Sequence, residues 1–185
     1  MDAPDDDELG RAIGGLASRE TDRSGLTSVA RLATASMRSA GARSVSTGRW
    51  LTETMLDAAP HVPVRDLATL SAHYEGRRGA ELADALIRSA GRTTGGLGAL
   101  AGALAGLEEL APPTWLAIPA ELVVETLAVV AVEMKLVAEL QAAFGRPVVG
   151  TPAERGLAVA KAWAEGRGVT AAVLAAPGGI GEALG

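Results

Sequence analysis

The sequence predicts an all-α fold: a single-domain helical bundle built round a Gly/Ala-rich helical hairpin. Three observations lead there. Of the 185 residues 48% are hydrophobic and only 3% aromatic, and 38 alanines and 23 leucines supply most of the apolar content. Both are strong helix formers, whereas strands favour aromatic and β-branched residues in alternation. Charged residues make up 21%, too few beside so much apolar content for a chain disordered throughout. Apolar residues also recur at spacings of three and four along most of the chain, which is the helical period.

Asp5, Asp6 or Asp7 caps a first helix over about 8–21, with acids at its positive end and Ile13 and Leu16 on one side. Ser24 or Thr27 opens a second, in which Leu26, Val29, Leu32, Ala33, Met37 and Ala40 share one face and Arg31 and Arg38 lie opposite. Gly41 breaks it. A third helix over 46–58 carries Trp50, Leu51 and Met55 and stops before Pro60, and the stretch 59–63 reads as a loop. A short helix follows over 66–74, then one over 80–90 with Leu82, Leu86 and Ile87 inward. The hairpin spans 94–144. Its first arm has no charge from Thr93 to Leu107, and Gly98, Gly102 and Gly106, spaced by four, line one side where another helix packs closely. Pro112 and Pro113 end that arm, and Pro119 opens a long second arm to Phe144, with Gly145 as the stop. Thr151-Pro152-Ala153-Glu154 is a capping box opening a helix that ends near Gly166. An acidic tail (1–7) and a loose tail (169–185) flank a helical domain over 8–168.

Charge and composition narrow the chemistry. Residues 1–92 carry net −1, residues 93–140 net −5 and residues 141–185 net +1, so the most apolar segment is also the most acidic. No cysteine is present, which removes disulfides, thiolate catalysis and Cys-ligated zinc. The acidic start is the reverse of a secretory signal, and a cytoplasmic location is expected. Fifteen of seventeen basic residues are Arg, a bias typical of GC-rich bacterial genomes. No nucleic acid is expected as partner, since the chain is acidic and almost lacks stacking aromatics. Neither arm of the hairpin is apolar enough to read as membrane-spanning, because one is Gly/Ala-rich and the other carries Glu121, Glu125 and Glu133.

The remaining candidates are surfaces and a pocket. Ser24 to Thr52 holds Arg31, Arg38, Arg43 and Arg49 and no acid, the pattern of a helix lying on an anionic membrane or a partner, or of an ordinary outer helix with Arg in water. Glu121 and Glu125 share a helical face and could line a pocket against the Gly-rich arm. No metal or cofactor is expected: no Glu-x-x-His pair accompanies these acids, and Pro60 interrupts any helix that would align Asp57 with His61. Residues 96–101 match Gly-x-Gly-x-x-Ala, but without a preceding strand the motif cannot cradle a dinucleotide. Trp50, Trp115 and Trp163 are expected as core anchors.

Taken in order, the Gly/Ala-rich stretch from Gly95 to Gly106, the turn Ala111-Pro112-Pro113-Thr114, the helix ending Leu136-Val137-Ala138-Glu139-Leu140-Gln141-Ala142-Ala143-Phe144-Gly145, and Thr151-Pro152-Ala153-Glu154-Arg155 resemble the EcsC family over roughly residues 79–166. The resemblance implies a helical, bacterial, cytoplasmic accessory protein with peripheral membrane association, and it carries over no catalytic residue. The expected function is that of a non-catalytic accessory or scaffold protein acting by helix packing on a protein partner or at the cytoplasmic membrane face. The alternative is a helical-bundle enzyme or small-molecule-binding protein with its pocket between the Gly-rich arm and the Glu-bearing helix.

Overall fold

A computed structural model describes residues 6–18, 23–46, 49–105 and 120–166. Among these residues there are seven α-helices and no strand: α1 (Asp6–Leu16), α2 (Arg23–Ser46), α3 (Arg49–Ala58), α4 (Leu67–His73), α5 (Gly79–Ala105), α6 (Ala120–Ala143) and α7 (Pro152–Gly166), with a 3₁₀ turn over Ala59–His61. The all-α expectation holds.

Helix α6 organises the rest. Its buried residues, among them Val123, Val124, Leu127, Ala128, Val130, Ala131, Val132, Met134 and Ala138, cover more than half its circumference, and of its other described side chains all but Leu122 are partly buried. Each of the other six helices packs against it, α5 most extensively. The inner faces of α1 (Leu9, Ile13, Leu16), α2 (Leu26, Val29, Leu32, Ala33), α3 (Trp50, Met55) and α7 (Val159, Trp163) join α6 in one apolar cluster. A second cluster brings Leu70 of α4 and Leu82 and Leu86 of α5 against Ala142 and Ala143 at the end of α6. Complete burial of one such Leu or Val stabilises the fold by about 1.5–3 kcal/mol.

The helix ends follow local chemistry. At the end of α6, Gly145 takes φ 74°, and the amides of Gly145 and Arg146 donate to the carbonyls of Ala142 (3.1 Å) and Gln141 (2.8 Å), a Schellman closure of the kind glycine permits. The capping box of α7 forms as expected: the Thr151 amide donates to Glu154 Oε2 at 2.8 Å and the Glu154 amide to Thr151 Oγ1 at 3.3 Å. The amide of Thr69 donates to Asp66 Oδ1 at 2.7 Å, starting α4.

Several boundaries differ from the sequence reading. Helix α1 ends at Leu16 and not near Thr21, because Ala17 and Ser18 close back on the carbonyls of Gly14 and Gly15 in tighter turns. Gly41 does break the helical path, at φ 82° and ψ 159°, but helical turns resume to Ser46, so α2 is kinked there and not ended. The break expected after Ala90 is absent: α5 runs unbroken from Gly79, and the hairpin arm begins fifteen residues before the expected position 94. Thr93 and Thr94 remain helical because their hydroxyls donate back to the carbonyls of Ser89 and Ala90. Ile87 is 51% exposed, not inward. The inner face of α5 is Leu82, Ala83, Ala85 and Leu86, and the next residue turns about 100° away from it. Ala40, expected on the inner face of α2, is also exposed.

Glycine also makes close approaches that the sequence reading does not name. The stretch 59–63, read as a loop, contains the 3₁₀ turn, in which Pro60 occupies the first turn where its missing N–H costs nothing. Helices α1 and α7 both pack on that turn. A Cβ at Gly14 would lie 2.5 Å from the carbonyl oxygen of His61, one at Gly10 2.8 Å from that of Asp57, and one at Gly156 2.6 Å from the nitrogen of Pro60. Backbone meets helix at all three sites. At Gly98 the nearest atom is Glu125 Oε1, the end of a flexible side chain, at 3.3 Å. Gly10, Gly14 and Gly156 thus make close backbone approaches, and Gly98 faces Glu125 of α6; Gly106 lies outside the described residues, and Gly102 is described only as part of the α5 backbone.

It follows that Gly14→Ala and Gly156→Ala should each destabilise the protein by about 1–3 kcal/mol, through clash with backbone that cannot move cheaply. Gly98→Ala should be neutral or stabilising, by up to about 1 kcal/mol of helix propensity. Urea unfolding of the three variants checks the ranking, and equal effects at positions 14 and 98 would refute it.

Candidate functional site

Where the 3₁₀ turn hands over to α4, the chain carries one arginine into the bundle. Val62 packs inward, residues 62–66 run without helical structure, and Asp66 caps α4. Arg65 is thereby held beside α6, whose Lys135 and Glu139, four apart, share a face. Arg65 grips the Glu139 carboxylate with both prongs, Nε to Oε1 at 2.7 Å and Nη2 to Oε2 at 2.8 Å. The Lys135 ammonium sits 2.8 Å from Oε1 of the same carboxylate and donates to the carbonyl of Pro63. The Glu139 side chain is only 3% exposed, that of Lys135 16% and that of Arg65 24%. The guanidinium also lies over the Tyr74 ring, 5.7 Å from its centre, and His73 meets that ring edge-on.

Burial alone would raise the pKa of Glu139, but the hydrogen bonds and charges of Arg65 and Lys135 outweigh it, and the carboxyl is held below its ordinary range. The hydrogen bond to Glu139 raises Arg65 further, against the opposing effect of burial. By formal charge, one arginine, one lysine and one glutamate give the triad a net +1. It forms one wall of a cleft of about 250 Å³ between α5 and α6, lined otherwise by apolar residues such as Ala17, Leu86, Ala90, Val132 and Leu136, with Ser89 and Thr93 at one side.

A second groove, of about 300 Å³, opens on the other side of Arg65. Pro60, Val62 and Val64 line it from the turn, Pro147 and Val148 from the segment after α6, and Pro152 and Arg155 from the start of α7.

The residues singled out in the sequence do not build the cleft. Glu125 is half-buried against Gly98 and is not among the cleft's lining residues; the carboxylate there is Glu139. Glu121 is described only as α6 backbone. Arg31 and Arg38 are exposed on α2 and Arg43 is described only as backbone beyond the kink. Arg49 is paired with Glu53 at 2.7 Å, one residue past the acid-free stretch. The apolar side of α2 that a membrane-surface helix would insert is buried in the core. No described helix is long and apolar enough to cross a membrane.

His61 Nε2 meets Asp7 Oδ1 at 2.9 Å, and among the described residues no three metal-ligating side chains gather. The stretch 96–101 lies inside α5, without the strand and turn a dinucleotide fingerprint needs. Trp50 and Trp163 are core anchors, donating to Ser36 Oγ and Glu133 Oε2, each at 2.9 Å; Trp115 lies outside the described residues. Sequence reasoning missed the triad. The available signal was Lys135 and Glu139 four apart in an otherwise apolar run; nothing local pointed to Arg65, seventy-four residues before Glu139.

Removing the shared carboxylate leaves two cations facing each other with little water. Glu139→Gln is expected to cost about 2–4 kcal/mol at neutral pH, somewhat below the effect in a fully enclosed pair because Arg65 and Lys135 keep partial access to solvent. Since the folded pKa of Glu139 lies below the unfolded one, its stabilisation is complete above the ordinary carboxylate range and is lost as pH falls through the folded value. The urea-midpoint gap between wild type and variant should therefore narrow below about pH 4, and a gap that stays constant down to pH 2 would contradict this account. Comparison with protein-family models, with curated proteins and with solved structures finds no match to this chain.

Proposed function

We propose that this protein is a non-catalytic accessory or scaffold protein that acts by packing on a protein partner, with the end of the bundle around residues 144–157 as its contact surface. The observation that carries this reading is that three large apolar side chains on this one stretch of chain are left in water: Phe144 is 61%, Val149 78% and Leu157 64% exposed. Phe144 is the chain's only phenylalanine. Between them along the chain lie Pro147, Val148, Pro152, Arg155 and Gly156, which line part of the Pro/Val groove. Exposed apolar area rimmed by polar residues is the common mark of a protein contact. The charged groups of the cleft support the non-catalytic part. Glu139 is ionised and doubly paired, which suits a structural tie better than a general acid, whose pKa must lie near the working pH.

A contact at the cytoplasmic membrane face, the other form of this function, would rest on Arg31 and Arg38 by charge alone, because the apolar residues beneath them are committed to the core. A protein contact is favoured for that reason. The likeness to the EcsC family agrees with an accessory role.

The reading is tested by affinity capture from cytosolic and membrane fractions with wild type and with the Phe144→Asp/Leu157→Asp double variant. A discrete partner held by wild type and released by the variant, at an unchanged melting temperature, is the expected outcome. Equal capture by both proteins would remove this surface from consideration, and co-flotation with anionic liposomes would move the contact to the membrane.

One observation favours a second reading, a helical bundle that binds a small molecule. The cleft beside the triad lies between α5 and α6, along Leu86 to Thr93 and Val132 to Glu139, apart from the Gly-rich stretch and from Glu121 and Glu125.

A further inference from the structure

We infer that the cleft between α5 and α6 is a binding site for a small organic monoanion, a carboxylate on a compact apolar body, with Lys135 as the group that selects the charge. The inference rests on the small-molecule reading of this cleft and adds the class of ligand.

The charge count comes first. Arg65 and Glu139 form a bidentate pair and neutralise each other. Lys135 shares a carboxylate that is already matched, so its charge is the surplus. A surplus cation whose side chain is 16% exposed sits in a wall of low polarity, where an opposite charge within about 4 Å is attracted far more strongly than in water. One surplus charge matches a monoanion; a phosphate dianion would leave the cleft negative. Donor capacity agrees. An ammonium has three N–H groups. Among the described residues Glu139 Oε1 and the Pro63 carbonyl take two, which leaves one for a ligand.

Size and lining set the rest of the molecule. A volume of about 250 Å³ is below that of pockets for drug-sized ligands. Leu86, Ala90, Val132 and Leu136 offer aliphatic contact to an apolar body. A short branched or aromatic acid fits these limits, whereas a nucleotide or a peptide exceeds them.

The test is titration of the full chain with benzoate, benzamide and benzylamine, followed by thermal shift and by NMR of the amides of Ser89, Thr93 and Lys135. Benzoate should raise the melting temperature in a saturable way and move those amides, with an affinity at least tenfold above that of benzamide and no response to benzylamine. Lys135→Gln leaves the Arg65–Glu139 pair intact and neutral; it should abolish the preference for benzoate over benzamide while the melting temperature without ligand changes little. Should the variant fail to fold, the decision falls to the wild-type preference and to its loss in 1 M sodium chloride. Equal binding of benzoate and benzamide overturns the monoanion assignment and leaves the pocket reading standing. No binding of any of the three overturns both, and amide shifts confined to other parts of the chain place the site elsewhere and overturn it as well.

Discussion

The fold depends on a single helix with almost no exposed face. Of the described side chains of α6 only Leu122 is exposed, so the helix cannot lie on a surface, and the remaining helices must wrap it for the chain to gain stability. That constraint also dictates what happens to its charges. Four carboxylates occur on this mostly apolar helix. The three whose side chains are described each reach a different neighbour: Glu125 meets α5 at Gly98, Glu133 accepts from Trp163 of α7, and Glu139 takes Arg65 from the segment before α4. Two of these acids, Glu133 and Glu139, are thus ties between the central helix and its wrapping. A buried carboxylate is costly unless it is paired, so each tie also favours one register of the neighbour over others.

A second constraint acts at the 3₁₀ turn. Residues Ala59–His61 are gripped between α1 and α7, and glycines on both helices bring backbone to backbone. The turn is short, and the segment leaving it leads directly to Arg65. The position of the guanidinium at Glu139 thus depends on the seating of the turn. Glycine at positions 10, 14 and 156 costs helix propensity, about 1 kcal/mol each, and the close packing of three elements offsets it.

Much of this organisation was legible in the sequence. Six of the helices could be read from apolar spacing and from their caps, because signals such as Asp66, Gly145 and the Thr151–Glu154 pair act within a few residues of where they stand. The inward faces of α1 and α2 followed from the same periodicity, Ala40 excepted. What failed was non-local. Gly98, Gly102 and Gly106 and the pair Gly10 and Gly14 share the same spacing, and spacing says only that a close approach is possible in principle on that side. Which series meets backbone depends on what folds against it. The charge-free stretch that begins at position 93 reads as the start of a new arm; in the structure Thr93 and Thr94 bond backwards to carbonyls of a helix that continues through them. The triad was illegible for the same reason. Lys135 and Glu139 read as an ordinary surface pair until Arg65 arrives from a different part of the chain.

The place of the triad in the packing explains why a cleft exists there at all. Ala90 and Val132 belong to or border the main apolar cluster, whereas Leu86, Tyr74 and Leu136 belong to or border the smaller one, and all five line the cleft. The charged groups therefore stand at the seam between two apolar bodies that meet along α6. Continuous apolar packing across that seam would give comparable or greater stability, since a buried ion pair recovers little more than its own desolvation cost. Charges at a seam do something that apolar contact does not: bidentate geometry fixes how the α4 segment sits against α6, and it leaves beside itself a space that side chains of fixed length do not fill. A cleft between two rigid clusters, held open by a pair whose geometry is set, is preformed, so a molecule entering it would not have to organise the walls.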